Sequence, residues 1–370
     1  MTRPTTRKPR HHTAARAGLP AALGALMLMA APAAAQSTGT FKDWWVACDN
    51  RLSCTAFGTA PAMTDAVFGT WLSVARDGDG DGDGDGDAVP RLAIGVLLAD
   101  EATTGPVTAT LTIPGGGGSL PPIDATIDQG MLMAPLPASM AAAMLPALRQ
   151  ADMLDITVTA PAAGVLASSR VSLAGASAAL LYVDDAQKRV GTVTALVRRG
   201  DKPASAVPPV PPVPVVTPPQ PSTSPVPAGL PAGFDTRSQG DDCDPQAREM
   251  VPPLIGRLDA DHVLYGTVCL AGAYNMVYQL WVEDQQGGIE AADIEMPDGI
   301  SPIDLMNIDY DADSRMLSSY AKGRGIGDCG TAASWLWDGG RFRLTSLIAM
   351  EVCQGIPADA WPVLYRAEIR

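Results

Sequence analysis

A proline-rich stretch divides this chain of 370 residues. Residues 203–231 contain twelve prolines. Each proline fixes φ and removes a backbone N–H donor, so we expect neither helix nor sheet there. A chain of this composition is extended and acts as a semi-rigid spacer. The sequence therefore predicts a linker over residues 201–233, with one domain at residues 36–200 and a second at residues 234–370.

Strand patterns dominate the first predicted domain. Stretches rich in β-branched residues alternate in polarity, and Asn50 with Arg51 separates two of them as a turn. Two stretches favour helix. In residues 139–150, Pro146 should kink or interrupt the helix, and in residues 177–189 Ser177 is the expected N-cap.

Strand patterns also fill the second predicted domain, where no helix is expected. Asp338, Gly339 and Gly340 separate two apolar runs, which is a hairpin signal. The predicted fold class is thus mainly β. We expect two β-rich domains, the first with one or two helices, joined by the proline-rich linker.

The first 35 residues have the composition of a signal peptide. Five positive charges precede an apolar stretch, and Ala33, Ala34 and Ala35 fit a small-residue cleavage site. No later segment reaches the ~18 unbroken apolar residues that a membrane span needs. We therefore expect an exported protein without stable membrane insertion.

The charge of the chain argues against a nucleic-acid partner. Cleavage of the leader removes five positive charges and no acids, so the formal net charge goes from −14 to −19. A surface of this sign repels nucleic acid and anionic lipid, although acidity is also a common solubility device.

All six cysteines follow the expected cleavage site, and an even count in an exported chain predicts disulfides. Cys48 and Cys54 lie alone in the first half and are expected to pair. For the other four we favour nearest neighbours, which suit antiparallel strands, although spacing alone leaves the other pairings open. The favoured pairs are Cys243–Cys269 and Cys329–Cys353.

An Asp-Gly repeat at residues 77–87 raises the question of calcium. Its alternating acids fit the first positions of an EF-hand loop, but position 12 is Ala88 rather than glutamate, and strand patterns flank the run. We interpret the repeat as a flexible hairpin tip. The weak calcium ligands it offers are Asp77, Asp79, Asp81 and Asp83. No cofactor is predicted, and no other metal site.

Few side chains support catalysis. His262 is the one histidine beyond the leader, whereas Ser-His-Asp and Cys-His sites need a histidine beside the nucleophile. Ser319 and Lys322 match an S-x-x-K motif but lack its partner motifs. Carboxylates are numerous, and no spacing selects a pair of them for glycoside cleavage.

The glycine-rich loop before Cys329 is the strongest candidate for binding, because such loops often carry function. Trp335 and Trp337 share one face of a strand nearby. They either pack in the core or line a groove for a glycan or peptide. The candidate residues are Tyr274, Asn275, Lys322, Arg324, Asp328, Trp335 and Trp337.

Several segments together resemble a family of exported Gram-negative proteins that is catalogued as a domain of unknown function. These segments are FKDWWVACDNRLSCTAFG, SLAGASAALLYVDDAQKRVGTVTALVRRG, CLAGAYN, GRGIGDCGTAASWLWDGGRFRL and WPVLYRAEIR. The resemblance spans nearly all of the chain after the leader and implies a periplasmic protein without implying an activity. The first segment is also similar to invasion-associated locus B proteins. The Asp-Gly repeat departs from the family pattern.

Three functional hypotheses follow. The favoured one is a periplasmic, non-catalytic binding module for an envelope component, which is a glycan, a peptide or a protein. The alternative is a cell-wall or glycan hydrolase that uses carboxylates. The third, a virulence-type surface factor, rests on the similarity to invasion-associated proteins.

Overall fold

The computed structural model describes residues 37–61, 63–78, 90–114, 118–231, 234, 243–296 and 305–370. The predicted signal peptide and most of the Asp-Gly repeat, including Asp79, Asp81 and Asp83, lie outside these residues. The described residues are mainly β, as predicted. Their contacts place them in one compact unit, Ala33–Arg370. The division into two domains stays a prediction.

The first half of the described chain consists of strands with two helices. The strands are β1 (Ser37–Phe41), β2 (Trp44–Cys48), β3 (Cys54–Thr59), β4 (Val67–Arg76), β5 (Arg91–Leu98), β6 (Gly105–Ile113), β7 (Gly118–Ser119), β8 (Ile123–Asp128), β9 (Met131–Pro135), β10 (Met153–Ala160) and β11 (Gly164–Ser172). The helices are α1 (Ala138–Ala147) and α2 (Ala176–Ala186).

One sheet contains all of these strands, in the order β1-β2-β3-β4-β5-β9-β8-β6-β10-β11, with β7 paired to β6. Strand β11 also contacts β3 and β4 without a backbone ladder between them, so the sheet curls over its own core. β4 and β5 pair antiparallel, so the Asp-Gly repeat does connect two strands of a hairpin.

Both predicted helices form, and the expected N-cap of the second is wrong. Helix α1 contains Pro146 within its last turn. Helix α2 begins after Gly175, which is the N-cap with φ 106°, and no side chain caps this end. The Ser177 hydroxyl lies inside the first turn and donates to the carbonyl of Arg149 instead (3.5 Å).

The rest of the described chain forms three further sheets. The strands are β12 (Val215–Val216), β13 (Leu254–Arg257), β14 (Val263–Ala271), β15 (Met276–Glu283), β16 (Ile289–Ala291), β17 (Asp309–Asp311), β18 (Met316–Lys322), β19 (Gly330–Trp337), β20 (Phe342–Met350), β21 (Val363–Arg366) and β22 (Glu368–Ile369). The sheets follow the orders β12-β22, β13-β14-β15-β16 and β17-β18-β19-β20-β21. The predicted hairpin at Asp338 joins β19 to β20.

A short helix, α3 (Pro245–Glu249), corrects the expectation that the second half is all β. Asp244 caps it by accepting a hydrogen bond from the N–H of Gln246 (2.9 Å), and Pro245 occupies the first turn. These are ordinary helix-start signals.

The expectation of neither helix nor sheet in the proline-rich segment is wrong at two places, because Ala204–Ala206 form a short 3-10 helix and Val215–Val216 form β12. β12 pairs in parallel with β22, because the N–H groups of Glu368 and Arg370 donate to the carbonyls of Pro214 (2.8 Å) and Val216 (3.0 Å). Proline lacks a donor but keeps its acceptor. Arg315 uses the same property when it donates to the carbonyl of Pro219 (2.6 Å).

Strand β2 is buried along its whole length, on both of its faces. Successive side chains of a strand point to opposite sides. Trp44 and Val46 lie in the core of the first half, while Trp45 and Ala47 lie in a second core made largely by the second half. Trp71 of β4 also belongs to the second core. The first-half sheet is therefore covered on both sides around β2–β4.

Polar contacts also connect the two halves near β2–β4, and we call this contact region the joint. The carbonyl and N–H of Arg366 bond to the side chain of Asn50 (both 3.0 Å). The guanidinium of Arg366 lies 2.6 Å from the fully buried carboxylate of Asp49. Burial raises the pKa of Asp49, and the charge of Arg366 opposes that rise.

The structure contains the disulfides Cys48–Cys54, Cys243–Cys269 and Cys329–Cys353, the same pairs that the sequence favoured. Cys48 and Cys54 face each other in the β2–β3 register, at the ends of the turn that contains Asn50. The pair thereby closes the hairpin that carries Asp49 and Asn50.

Among the described residues, no helix has both the length and the apolar character needed to cross a membrane.

Backbone contact at Gly355 yields a stability prediction. Gly355 has φ 75°, and a Cβ there would collide with the carbonyl of Phe68 and with Gly69 of β4. Gly339 has φ 103°, but a Cβ there meets nothing within 4 Å. Left-handed backbone costs an alanine about 1 kcal/mol, and overpacking adds roughly 1–3 kcal/mol. We expect Gly355→Ala to lower the free energy of unfolding by about 3 kcal/mol and Gly339→Ala by about 1 kcal/mol in denaturant titrations. Equal losses would show that the joint does not need this close approach.

Candidate functional site

The predicted binding loop joins two paired strands and is held at both ends. It runs from Lys322, the last residue of β18, to Cys329, just before β19. The N–H of Gly323 donates to the carbonyl of Cys329 (2.7 Å), and the disulfide ties Cys329 to Cys353. The loop is thus a closed turn on a rigid hairpin.

Asn275 anchors the loop to the neighbouring β14–β15 turn. Its Nδ2 donates to the carbonyl of Lys322 (2.9 Å), and its Oδ1 accepts from the N–H of Lys322 (3.1 Å). Asn307 also donates to that Oδ1 (2.9 Å). Asn275 therefore holds the backbone of Lys322, while the ammonium of Lys322 lies 5.7 Å from the ring centre of Tyr320.

Arg324 and Asp328 form an ion pair across the loop. Arg324 Nε donates to Asp328 Oδ1 (2.6 Å), and Arg324 Nη2 bonds to Asp328 Oδ2. The pair extends to the far side of the disulfide, because Arg324 Nη2 donates to the carbonyl of Cys353 (3.2 Å) and the N–H of Gly355 donates to Asp328 Oδ2 (2.6 Å). These contacts stabilise the loop and connect it to the joint at Gly355.

Asp328 is 1% exposed, and its protonation equilibrium is altered accordingly. Burial alone raises the pKa of Asp328, but the hydrogen bonds from Arg324 and from the N–H of Gly355 outweigh burial and lower it below the ordinary value. The carboxylate is therefore charged at neutral pH and is engaged on both oxygens.

Three exposed apolar side chains lie on the loop or beside it. Tyr274 is 43% exposed, Ile326 is 55% exposed and Met63 is 36% exposed. Met63 Sδ lies 3.3 Å from Arg324 Nη2, and a Cβ built at Gly325 would lie 3.7 Å from the ring of Tyr274. We call Met63, Tyr274 and Ile326 the apolar rim.

The two predicted tryptophans do not join this surface. Trp335 and Trp337 are 0% and 4% exposed and belong to the second core. Trp335 Nε1 donates to the carbonyl of Glu295 (2.9 Å), and Trp337 Nε1 donates to Asp259 Oδ2 (2.8 Å). Both tryptophans therefore occupy core positions rather than the surface of a groove.

Of the seven predicted site residues, the structure brings together Tyr274, Asn275, Lys322, Arg324 and Asp328. Sequence reasoning missed Met63 and Ile326. The position of Ile326 between two glycines at the tip of the loop was an available signal for its exposure. Met63 had no local signal, because it reaches Arg324 from the other half of the chain.

His262 is bound to an acid rather than to a nucleophile. Its Nδ1 lies 2.8 Å from Asp259 Oδ1, and its ring packs against Trp337 with centroids 5.2 Å apart. Burial alone raises the pKa of Asp259. Hydrogen bonds from the N–H of Asp261, from His262 and from Trp337 outweigh burial, so the pKa lies below its ordinary value.

The described residues contain no group of three or more His, Cys, Asp or Glu that could hold a metal ion. Asp77, the one predicted calcium ligand within them, is bound on both oxygens by Arg91 (2.5 and 3.0 Å).

The ion pair yields a pH prediction. Because the folded-state pKa of Asp328 is lowered, its stabilisation is complete above the unfolded value near ~4 and is lost as the pH falls through the folded value. Asp328→Asn should therefore lower the free energy of unfolding by about 2 kcal/mol at pH 6. The difference from wild type should narrow towards pH 3, measured by denaturant titration.

Asp152→Asn is the matched control, since Asp152 is exposed and its side chain holds no contact of this kind. It should change stability little at either pH. A difference for Asp328→Asn that stays constant from pH 6 to pH 3 would contradict a charged Asp328 in the folded state.

Comparison with known proteins gives a relative over most of the chain. The chain is 30% identical over 347 residues to the protein named "Uncharacterized protein YpfG" of Escherichia coli (strain K12), covering 90% of this chain and 93% of the relative. The crystal structure of invasion associated protein b from Bartonella henselae is 19% identical and covers 41% of this chain and 99% of that protein, with a TM-score of 0.28. A likeness at that score carries no argument.

The predicted family resemblance is confirmed at the level of the whole chain. Residues 38–368 match the family described as "Protein of unknown function (DUF1176)". The match begins in β1 and ends in β22, so it includes both halves and the proline-rich segment between them. This chain belongs to the DUF1176 family.

Proposed function

We propose that this protein is an exported, non-catalytic binding protein that recognises a protein or peptide of the bacterial envelope. The observation that carries the proposal is the apolar rim: Ile326 is exposed on a fixed loop, and exposed Met63 and Tyr274 approach the same loop at Arg324 and Gly325. Single exposed apolar residues are normal on a protein surface, whereas adjacent ones mark interaction sites.

Rigidity of the loop supports binding. The disulfide, the Arg324–Asp328 pair and the Asn275 contacts fix the backbone around Ile326 before any partner arrives. A partner that buries Ile326 therefore does not have to order the loop, and this lowers the entropic cost of association. Tyr274 adds a large side chain with few rotatable bonds, the kind that is enriched at interface centres.

The chemistry of the rim favours a protein or peptide over a glycan. Glycan grooves use aromatic faces for stacking, and both predicted tryptophans are buried. Aliphatic Ile326 and Met63 instead match the apolar side chains of a peptide. Lys322 adds positive charge beside them, which suits an acidic edge on the partner.

The leader and the disulfides support a periplasmic location. The basic, apolar and small-residue regions of residues 1–35 follow the pattern of a cleaved signal peptide. Disulfides persist in oxidising compartments such as the periplasm. Envelope proteins and peptides are the partners available there.

Retention of an envelope partner tests the proposal. The exported protein is immobilised and incubated with envelope extract, and the bound protein is quantified by mass spectrometry. Tyr274→Ser combined with Ile326→Ser should reduce the specifically retained partner at least tenfold, since each buried anchor is worth ~1 kcal/mol or more.

Val165→Ser is the control, because Val165 is 62% exposed and lies in β11 of the first half. This variant should retain the partner as wild type does, and thermal unfolding should show all variants folded. Equal retention by the double variant would overturn the proposed surface. Release of soluble glycan fragments from purified peptidoglycan would overturn the non-catalytic assignment.

A further inference from the structure

A cleft in the first half gathers three arginines from separate segments. Arg76 ends β4, Arg149 follows α1, and Arg199 lies in the segment after α2. The cleft has a volume of about 520 Å³. That size lies in the roughly 300–1,000 Å³ range of small-molecule sites. The cleft is distinct from the apolar rim, none of whose residues lines it.

Arg76 forms the buried end of the cleft. It is 2% exposed, and its Nη2 donates to the carbonyl of Thr194 (2.7 Å). Its Nη1 lies 3.5 Å from Asp184 Oδ1. The same carboxylate accepts shorter hydrogen bonds from the N–H groups of Leu196 (2.7 Å) and Val197 (2.8 Å). Asp184 therefore balances one guanidinium while it holds the backbone of the 196–197 segment.

The other two guanidiniums have neutral partners. Arg149 Nη1 donates to the carbonyl of Leu196 (3.4 Å), and Arg199 Nε donates to the carbonyl of Ala195 (2.9 Å). Both side chains are exposed, and neither forms an ion pair with any residue that the structure describes. Among the residues that the structure describes, no carboxylate lines the cleft. The described lining is thus a positive concavity on a chain of formal net charge −14.

Positive charge in a concave, partly apolar site attracts and concentrates anions. Guanidinium groups stay protonated and match carboxylate and phosphate with paired N–H donors. Apolar side chains complete the wall, namely Leu145, Pro146, Val193 and Leu196. The wall is suited to a hydrocarbon group and offers a free oxyanion no contact beyond the arginines.

We propose that this cleft binds a small amphiphilic anion, whose oxyanion head is a carboxylate or a phosphate and whose apolar group lies against Leu145 and Val193. The head pairs with Arg149 and Arg199 at the opening, above the buried pair of Arg76 and Asp184. Thr194 carries the one hydroxyl among the described residues of the lining, and it is already bonded to Arg189 and Thr192. This hydroxyl is therefore engaged within the protein.

Calorimetric titration of the exported protein tests this site with defined probes. The probes are hexyl phosphate, hexanoate, inorganic phosphate and hexanol. Hexyl phosphate or hexanoate should bind at least tenfold more tightly than both inorganic phosphate and hexanol. Inorganic phosphate binding equally tightly would overturn the amphiphilic ligand, and hexanol binding equally tightly would overturn the anion site.

Substitution of the exposed arginines locates the binding. Arg149→Gln combined with Arg199→Gln should weaken binding of the tighter probe at least tenfold. Arg198→Gln is the matched control, because Arg198 is exposed and next to Arg199 but does not line the cleft. It should weaken binding less than twofold. Equal weakening by Arg198→Gln would mean that surface charge, not the cleft, holds the anion.

Anion binding by the cleft can be tested independently of partner binding by the apolar rim. Because the cleft and the apolar rim share no residue, the double arginine variant should still retain the envelope partner as wild type does. Unchanged thermal unfolding of the same variant verifies that the loss of probe binding reflects the cleft.

Discussion

Burial of strand β2 on both faces is the constraint on which the rest of the structure depends. Trp44 and Trp45 are neighbours in the sequence and lie in different cores, at 0% and 1% exposure. A strand with a large aromatic side chain on each face must be shielded from solvent on both faces. The first half must therefore be covered twice, by its own curled strands and by residues of the second half such as Trp361.

The same requirement explains where the polar contacts between the halves lie. Asp49 and Asn50 follow directly after β2 and bond to Arg366 in β21. Gly355 meets β4 so closely that a side chain would collide there. Asp328, which holds the N–H of Gly355, belongs to the loop that sequence reasoning selected for binding. The inner side of the loop therefore stabilises the fold through Asp328. Its outer side, with Ile326, is exposed and available to a partner.

Much of the fold could be predicted from local patterns. Strand alternation, the Asp338 hairpin and the two helices of the first half depend on residues close together in the chain, and so do the disulfides, whose partners are 6 to 26 residues apart. The predicted Ser177 cap of α2 and the expected absence of a strand at β12 were wrong, because both features depend on distant groups. Gly175 approaches the carbonyl of Phe41, and β12 needs the N–H donors of β22.

Sequence alone was enough to predict the β-rich class, to recognise the family resemblance and to select five of the residues that meet at the loop. It favoured the cysteine pairs without excluding the alternatives. It could not assign Trp335 and Trp337 to core or surface, because a strand has two faces and only packing decides which of them is covered. Nor could it find the cleft, since Arg76, Arg149 and Arg199 are far apart in the chain and share no motif. The tertiary structure decided these points, because burial and local charge arise from contacts between segments that no local pattern connects.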